Sequence, residues 1–159
     1  MFEYAKLTLK HKWYVFQAGL KTKAPLFRLV IHDWTKFLPC EYFAYQRQFF
    51  GKSDRPHEFI SAWLHHQNAN PHHWEYWIPR SGHSKCNPPY PNNQPIDMPE
   101  WAIREMIADW IGAYKTYDPK NSWPIKNQWE WLDKNLEKIN VTTNTRIKIK
   151  EILTDLNLY

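Results

Sequence analysis

Apolar residues recur at spacings of three and four along most of the chain, which is the period of an amphipathic helix. No run of alternating β-branched residues bounded by turn signals interrupts this pattern. The sequence therefore predicts an all-α fold of about seven to eight helices. The predicted helices cover residues 2–19, 25–37, 39–51, 56–69, 99–117, 124–139 and 144–157, with a short turn at 72–75.

Glycine and proline residues mark several of the predicted boundaries. Gly19 is expected to end the first helix and Gly51 to provide a left-handed cap for the third, because glycine has no Cβ to disfavour that conformation. Residues 78–99 contain six prolines and cannot form a regular helix. A loop of this length in a compact domain is typically a lid, a binding loop or disordered.

The length and hydrophobic content predict one compact helical domain over residues 1–159. Within it, residues 7–117 carry the candidate chemistry described below, and residues 124–157 form a C-terminal helical pair. The apolar seam at 125–139 packs either within the domain or across a dimer, so an oligomer remains open.

Composition and charge narrow the class of protein. Two cysteines without CxxC spacing indicate neither a disulfide framework nor a zinc ribbon. No stretch resembles a leader or a membrane span, so we expect a cytoplasmic protein. The formal charge of +5 favours a small phosphorylated partner over the membrane. It is low for a dedicated nucleic-acid binder, although nucleic acid remains a possible partner.

Histidine and aspartate residues form the most informative chemical pattern. Six of the eight histidines fall in four short segments, with two aspartates among and after them. Imidazole nitrogen and carboxylate oxygen are the usual protein ligands of Zn, Mn, Fe and Co, and carboxylate also suits Mg. Ligands from four or five segments can close around one or two such divalent ions. In chain order these residues are His11, His32, Asp33, His65, His66, His72, His73 and Asp109.

Asp33 carries the strongest part of this argument. It lies seven, four and three residues after Leu26, Leu29 and Val30, so helical periodicity places it on the apolar face. A buried ionised carboxylate must be paired or bound to metal, because desolvation otherwise neutralises it. The same condition applies to Asp109. An ion pair is the alternative for each aspartate, and the candidate partners are Arg28, Arg47 and Arg104.

The pattern resembles the HD-domain superfamily of metal-dependent phosphohydrolases, whose signature is a histidine, a later His-Asp pair and a distant aspartate. The matching residues are His11, His32, Asp33 and Asp109. Members with two metals carry two further histidines between the pair and the last aspartate. The pairs at 65–66 and 72–73 lie in that interval. We choose His66, because it shares the apolar helix face of Phe59, Ala62 and Trp63, and His73, with His65 and His72 as close competitors.

A closer resemblance covers residues 7–117. It is to small HD-like proteins of bacteria and phages, recognised by HD-x-x-K-F at 32–37, by Asn-Pro-His-His-Trp-Glu-Tyr-Trp at 70–77 and by Glu-Met-x-x-Asp-Trp at 105–110. The resemblance implies an HD fold and a divalent metal, without naming a substrate.

Such a site implies hydrolysis of a nucleotide or cyclic nucleotide phosphoester by metal-activated water. Asp33 would hold the metal and Lys36 would contact a phosphate oxygen. Glu105, one turn before Asp109, would orient a ligand histidine, which we favour, act as a bridging ligand or take the proton of the water. Arg80 and Lys85, in the proline-rich loop, would bind the substrate's phosphates. The alternatives are a di-iron oxygenase of the HD type and a non-catalytic nucleotide- or nucleic-acid-binding module with a structural metal.

Overall fold

The fold is built around two long helices, α1 and α5, which run in opposite directions. At one end of the pair Lys10 donates to the Thr116 carbonyl, and at the other Arg104 donates to the Thr22 carbonyl. The computed structural model describes residues 3–51, 54–80, 88–120 and 122–159. Its α-helices are α1 (Glu3–Thr22), α2 (Leu26–Ile31), α3 (Pro39–Phe50), α4 (Pro56–Ala69), α5 (Glu100–Tyr117), α6 (Glu130–Asn135) and α7 (Thr143–Asp155).

Two 3₁₀ turns, Trp34–Phe37 and Trp74–Trp77, complete the regular structure of the described residues, which contain no strand. The all-α prediction is confirmed. The main core joins Val15 and Ala18 of α1 to the buried face of α5. The C-terminal helices pack on this same core through Leu132 of α6 and Ile149 and Leu153 of α7. The seam that the sequence predicts between residues 125 and 139 therefore lies mostly inside the domain.

The prediction for the second helix was wrong in its length. Helix α2 ends at Ile31, and the chain continues through His32 into a separate 3₁₀ turn. Leu26 and Val30, expected to face inward, are 59% and 67% exposed. With one buried residue, Leu29, the helix is too short for a continuous apolar stripe to control its orientation.

Three further boundaries also differ from the prediction. Gly19 lies inside α1, where its lack of a Cβ admits the Leu29 side chain and does not end the helix. Gly51 has extended backbone and forms no left-handed cap. Helix α6 begins at Glu130, six residues after Pro124, and Ile125 is 55% exposed. No helix among the described residues combines the length and apolar character needed to cross a bilayer.

Candidate metal centre

The centre is organised by Asp33, which has an unusual backbone conformation. Its φ of 55° and ψ of 23° lie in the left-handed region. Residues other than glycine seldom adopt this region, and Asp and Asn do so more often than most. Helix α2 ends just before it, and the Lys12 ammonium donates to the carbonyls of His32 and Val30 at this end. The reversal of the chain turns the Asp33 side chain into the interior, where it is fully buried.

One oxygen of Asp33 faces a first group of side chains, which come from α1, from the residue after α2 and from α5. The Asp33 Oδ2 atom lies 3.5 Å from His11 Nε2 on α1 and 3.5 Å from His32 Nε2. Asp109 Oδ1 on α5 lies 2.9 Å from the same His11 nitrogen and 3.3 Å from the same His32 nitrogen. These four side chains offer ligand atoms within 4.8 Å of one another, which is compact enough to surround one ion.

The other oxygen of Asp33 faces a second group. Asp33 Oδ1 lies 3.3 Å from His66 Nε2 on α4 and 3.3 Å from His72 Nε2. His73 completes this group, with its ring centroid 4.8 Å from that of His66. Asp33 is thus shared by two histidine-rich groups, one on each of its oxygens. These buried groups can hold a metal ion.

The lack of hydrogen-bond partners at several of these atoms supports a capacity to bind metal. Buried polar atoms in proteins nearly always have a partner, and each exception requires an explanation. Here the unpartnered buried atoms include those that a metal would take: Asp33 Oδ1 and the Nε2 atoms of His32, His66, His72 and His73. A cation bound in each group would satisfy the atoms of that group.

Two buried carboxylates lie behind the histidines. Each hydrogen-bonds one histidine ring of the two groups, Glu105 that of His32 and Glu41 that of His66, whereas Glu105 approaches His72 within ion-pair distance but without hydrogen-bond geometry. Glu105 Oε1 is 3.1 Å from His32 Nδ1 and 3.3 Å from His72 Nδ1, while its Oε2 accepts a hydrogen bond of 2.8 Å from Arg28. A carboxylate on Nδ1 leaves Nε2 with its lone pair available to a metal. Burial opposes the charge of Glu105, but the two histidines outweigh it and lower its pKa to about 2.

Glu41 on α3 has the corresponding role in the second group. Its Oε2 atom is 3.0 Å from His66 Nδ1 and accepts a bond of 3.1 Å from the Thr35 hydroxyl. Its Oε1 is 2.6 Å from Nδ1 of His65, which lies outside the cluster with its side chain 46% exposed. The Asn70 amide donates to Thr35 Oγ1 and to the His66 carbonyl, so the whole outer network is held.

The electrostatics of the cluster follow from mutual pairing. Burial opposes ionisation of Asp33, yet His32 and Lys36 outweigh it and hold the pKa of that carboxyl well below its ordinary value. Burial likewise opposes the charged form of His32, but the neighbouring carboxylates, Asp33 first, raise its pKa. The pKa of His73 is instead lowered well below its ordinary value by burial and by the adjacent His72.

Lys36 lies at the edge of the first group. Its ammonium is 2.5 Å from Asp33 Oδ2, and its side chain is 18% exposed. Burial works against the charge of Lys36, but Asp33 and Asp109 raise its pKa, so it remains a cation at neutral pH. It therefore presents one positive charge beside the metal-holding groups.

A large cavity opens beside the second group. It has a volume of about 660 Å³ and reaches His72, His73 and Asp109. Among the described residues that line it, none is a lysine or an arginine, and Glu75 and Asp118 add negative charge. Its walls are mainly aromatic: Trp63, Trp74, Trp110, Tyr114, Tyr117 and Trp131.

The six side chains that the sequence predicts as ligands all fall within these groups. His72, left as a competitor of His73, joins the same group as His73. Of the arginines considered as ion-pair partners, Arg28 pairs with Glu105, Arg47 with Glu58 and Arg104 with Glu100. Arg80 is exposed and is not among the residues that line the large cavity, and Lys85 lies outside the described residues.

Glu41 was missed by the sequence reasoning. A glutamate in the first turn of a helix is ordinarily explained by its favourable interaction with the helix N-terminus. The available signal was its position three and four residues before Ala44 and Tyr45, which are both buried. The same test, applied to Asp33, had identified a carboxylate on an apolar face.

Fold and site together define an all-α protein with a buried histidine and carboxylate cluster that can hold a metal ion. Residues 1–155 match the model of a family described as "Family of unknown function (DUF5662)", and the chain belongs to that family. No curated protein and no protein of solved structure matches the chain.

Proposed function

We propose that this protein is a metal-dependent phosphohydrolase that acts on a nucleotide or cyclic nucleotide phosphoester. The observation that supports this most directly is the position of Asp33, whose two oxygens each face a separate group of histidine nitrogens. A carboxylate shared in this way is suited to join two divalent ions. Two metals held close together are a common arrangement for the hydrolysis of phosphoesters.

The residues present fit a pair of ions, because the unpartnered atoms are nitrogen and oxygen donors of the kind that Zn, Mn, Fe and Co prefer. One ion would be held by His11, His32, Asp33 and Asp109, and the other by Asp33, His66, His72 and His73. Divalent ions bound there would supply Lewis acidity and a water of lowered pKa.

The protein's own residues have separate tasks in this proposal. Lys36, a fixed cation next to Asp33, binds a phosphate oxygen of the substrate. Glu105 keeps His32 and His72 oriented through their Nδ1 atoms and does not touch the substrate. The aromatic cavity excludes water and takes the organic part of the substrate, for which a volume of about 660 Å³ is adequate. Arg80 and Lys85 remain candidates for contact with outlying phosphates.

The proposal is tested with purified protein whose metal content is measured by elemental analysis before and after chelation. The protein is then incubated with a panel of nucleotides and cyclic nucleotides in the presence of each metal, and the release of phosphate or of a linearised product is followed. We expect the Asp33→Asn variant to lose both metal and turnover. The His57→Ala variant serves as the matched control, because His57 is exposed on α4 and belongs to neither group. Full turnover by Asp33→Asn in chelator would refute the proposal.

A second candidate, a di-iron oxygenase, is favoured by one observation. The two groups contain five histidines against two aspartates, and imidazole-rich sites suit iron well. The apolar cavity also suits an organic substrate without several phosphates. Iron at about two ions per chain, visible colour and oxygen consumption without phosphate release would identify this activity. Salt-dependent nucleic-acid binding without any turnover would instead support a binding module.

A further inference from the structure

A second, smaller cavity adjoins the cluster on the side of Lys36. It has a volume of about 230 Å³ and shares His73 and Asp109 with the large aromatic cavity. Its own walls include His11, Lys36 and two tyrosines, Tyr4 of α1 and Tyr45 of α3. The two cavities therefore form adjacent compartments along one edge of the cluster, and only the smaller one has a lysine among its described lining residues.

The two tyrosines are the unusual feature of this compartment. Their rings stack with centroids 5.5 Å apart and planes inclined by 19°. Tyr4 is 3% exposed and Tyr45 4%, yet neither hydroxyl has a partner with full hydrogen-bond geometry among the described residues, although Thr8 lies near that of Tyr4. A buried tyrosine hydroxyl usually finds a partner, so both hydroxyls in this small cavity are available to a ligand or to water.

The chemistry of the walls selects the kind of occupant. Lys36 offers an ammonium with donors only, and each tyrosine hydroxyl can donate one hydrogen bond. Burial raises the pKa of both tyrosines, which keeps these hydroxyls protonated at neutral pH. Lys36 is paired with Asp33, and Asp109 adds a carboxylate to the same wall. The remaining donors of the ammonium and the two hydroxyls favour a group with several acceptor oxygens over an apolar group.

We infer that Tyr4, Tyr45 and Lys36 form a binding subsite for a tetrahedral oxyanion of the phosphoryl class. This inference rests on the proposed function for the assignment of the oxyanion to the substrate, and it adds two residues that the sequence pattern does not indicate. The subsite separates the parts of the ligand. The oxyanion lies on the Lys36 side of the cluster, and the organic group lies in the aromatic cavity, whose described walls carry no lysine or arginine.

The subsite is tested by calorimetric titration of the metal-loaded protein with inorganic phosphate, with sulfate as a second tetrahedral anion. Tyr4→Phe and Tyr45→Phe keep the stacked rings and remove only the hydroxyls. Loss of a hydrogen bond to a charged group weakens binding by roughly tenfold, so we expect that loss of phosphate affinity in each variant. Tyr14→Phe, on α1 but outside the walls of both cavities, should bind phosphate as the wild type does.

Melting temperature and metal content are measured for every variant, so that a change in folding or in the metal groups is recognised. Unchanged phosphate affinity in both phenylalanine variants would overturn the subsite, as would the absence of phosphate binding by the wild type. Tyrosine-dependent phosphate binding without hydrolysis of any nucleotide would uphold the subsite and refute the proposed function. Hydrolysis of a nucleotide with unaltered KM in both variants would uphold the proposed function and overturn the subsite.

Discussion

Gly112 on α5 packs directly against Val15 on α1, with no space between them for another carbon atom. A Cβ at position 112 would lie 2.8 Å from the Val15 nitrogen and would also collide with the Val15 side chain. His11 and Asp109, which contact each other at 2.9 Å, lie four and three residues before this contact on the two helices. The close approach of α1 and α5 therefore sets the spacing of the first metal-holding group.

Gly112→Ala should destabilise the protein by about 1–3 kcal/mol, because backbone cannot rotate out of the way as a side chain can. It should also weaken metal binding, since His11 and Asp109 move apart. Gly19→Ala is the comparison: its Cβ meets the Leu29 side chain, which can change rotamer, so a smaller loss is expected. Urea unfolding of the metal-free proteins measures the stability lost in each of the two variants. An equal loss of stability in the two variants would contradict the claim that the close approach of α1 and α5 at Gly112 is especially important.

Glu105→Gln should lower metal affinity by about 10- to 100-fold while the protein stays folded. The amide retains the size of the side chain but removes the charge that orients His32 and His72. The control is Glu100→Gln, on the same helix, where the exposed carboxylate pairs with Arg104. Competition with a chromophoric chelator measures the affinity. Wild-type affinity in Glu105→Gln would exclude an orienting role.

Glu41→Gln should affect one group of ligands more than the other. Glu41 contacts His66 and does not reach the first group, whereas Glu105 lies behind a histidine of each. At limiting metal, Glu41→Gln is therefore expected to bind close to one ion per chain if the wild type binds two. Mass spectrometry under native conditions gives the stoichiometry directly. Loss of all metal from Glu41→Gln would show that the two groups do not bind independently.

Metal affinity should fall as the solution is made acidic, and the decrease should begin above the ordinary histidine pKa of 6.5. A proton and a metal compete for the same ring nitrogen. Because the neighbouring carboxylates raise the pKa values of His11, His32, His66 and His72, protons compete already near neutral pH. Chelator competition between about pH 5.5 and 8 measures the dependence. A flat profile above pH 6.5 would contradict it.

The sequence by itself was sufficient to predict the bounds of two of the helices. The prediction of 99–117 corresponds to α5, Glu100–Tyr117, and that of 39–51 to α3, Pro39–Phe50. Helix α3 begins at a proline and α5 directly after one. In α5 the apolar residues at spacings of three and four are mostly buried, whereas Phe43, Phe49 and Phe50 of α3 are about half exposed. His66 is fully buried and His65 points outward, as the helical face indicated, because one residue along a helix turns the side chain by about 100°.

The prediction that Asp33 is buried is confirmed, but the physical reason differs from the one that the sequence suggested. Its burial does not come from the face of a continuous helix, since Leu26 and Val30 of that face are exposed. It comes from the left-handed turn after α2, held by Lys12 from the neighbouring helix. Short helices depend on such contacts, because a single turn has little stability of its own.

Only the tertiary structure decided which side chains meet. Glu105 contacts His32 across 73 residues of chain, and His11 contacts Asp109 across 98. Local sequence preferences act over a few neighbouring residues and contain no information about such pairs. The sequence therefore determined the types of ligand and most of the helices. The packing of α1 against α5, and the turn at Asp33, determined that these ligands form two groups around one shared carboxylate.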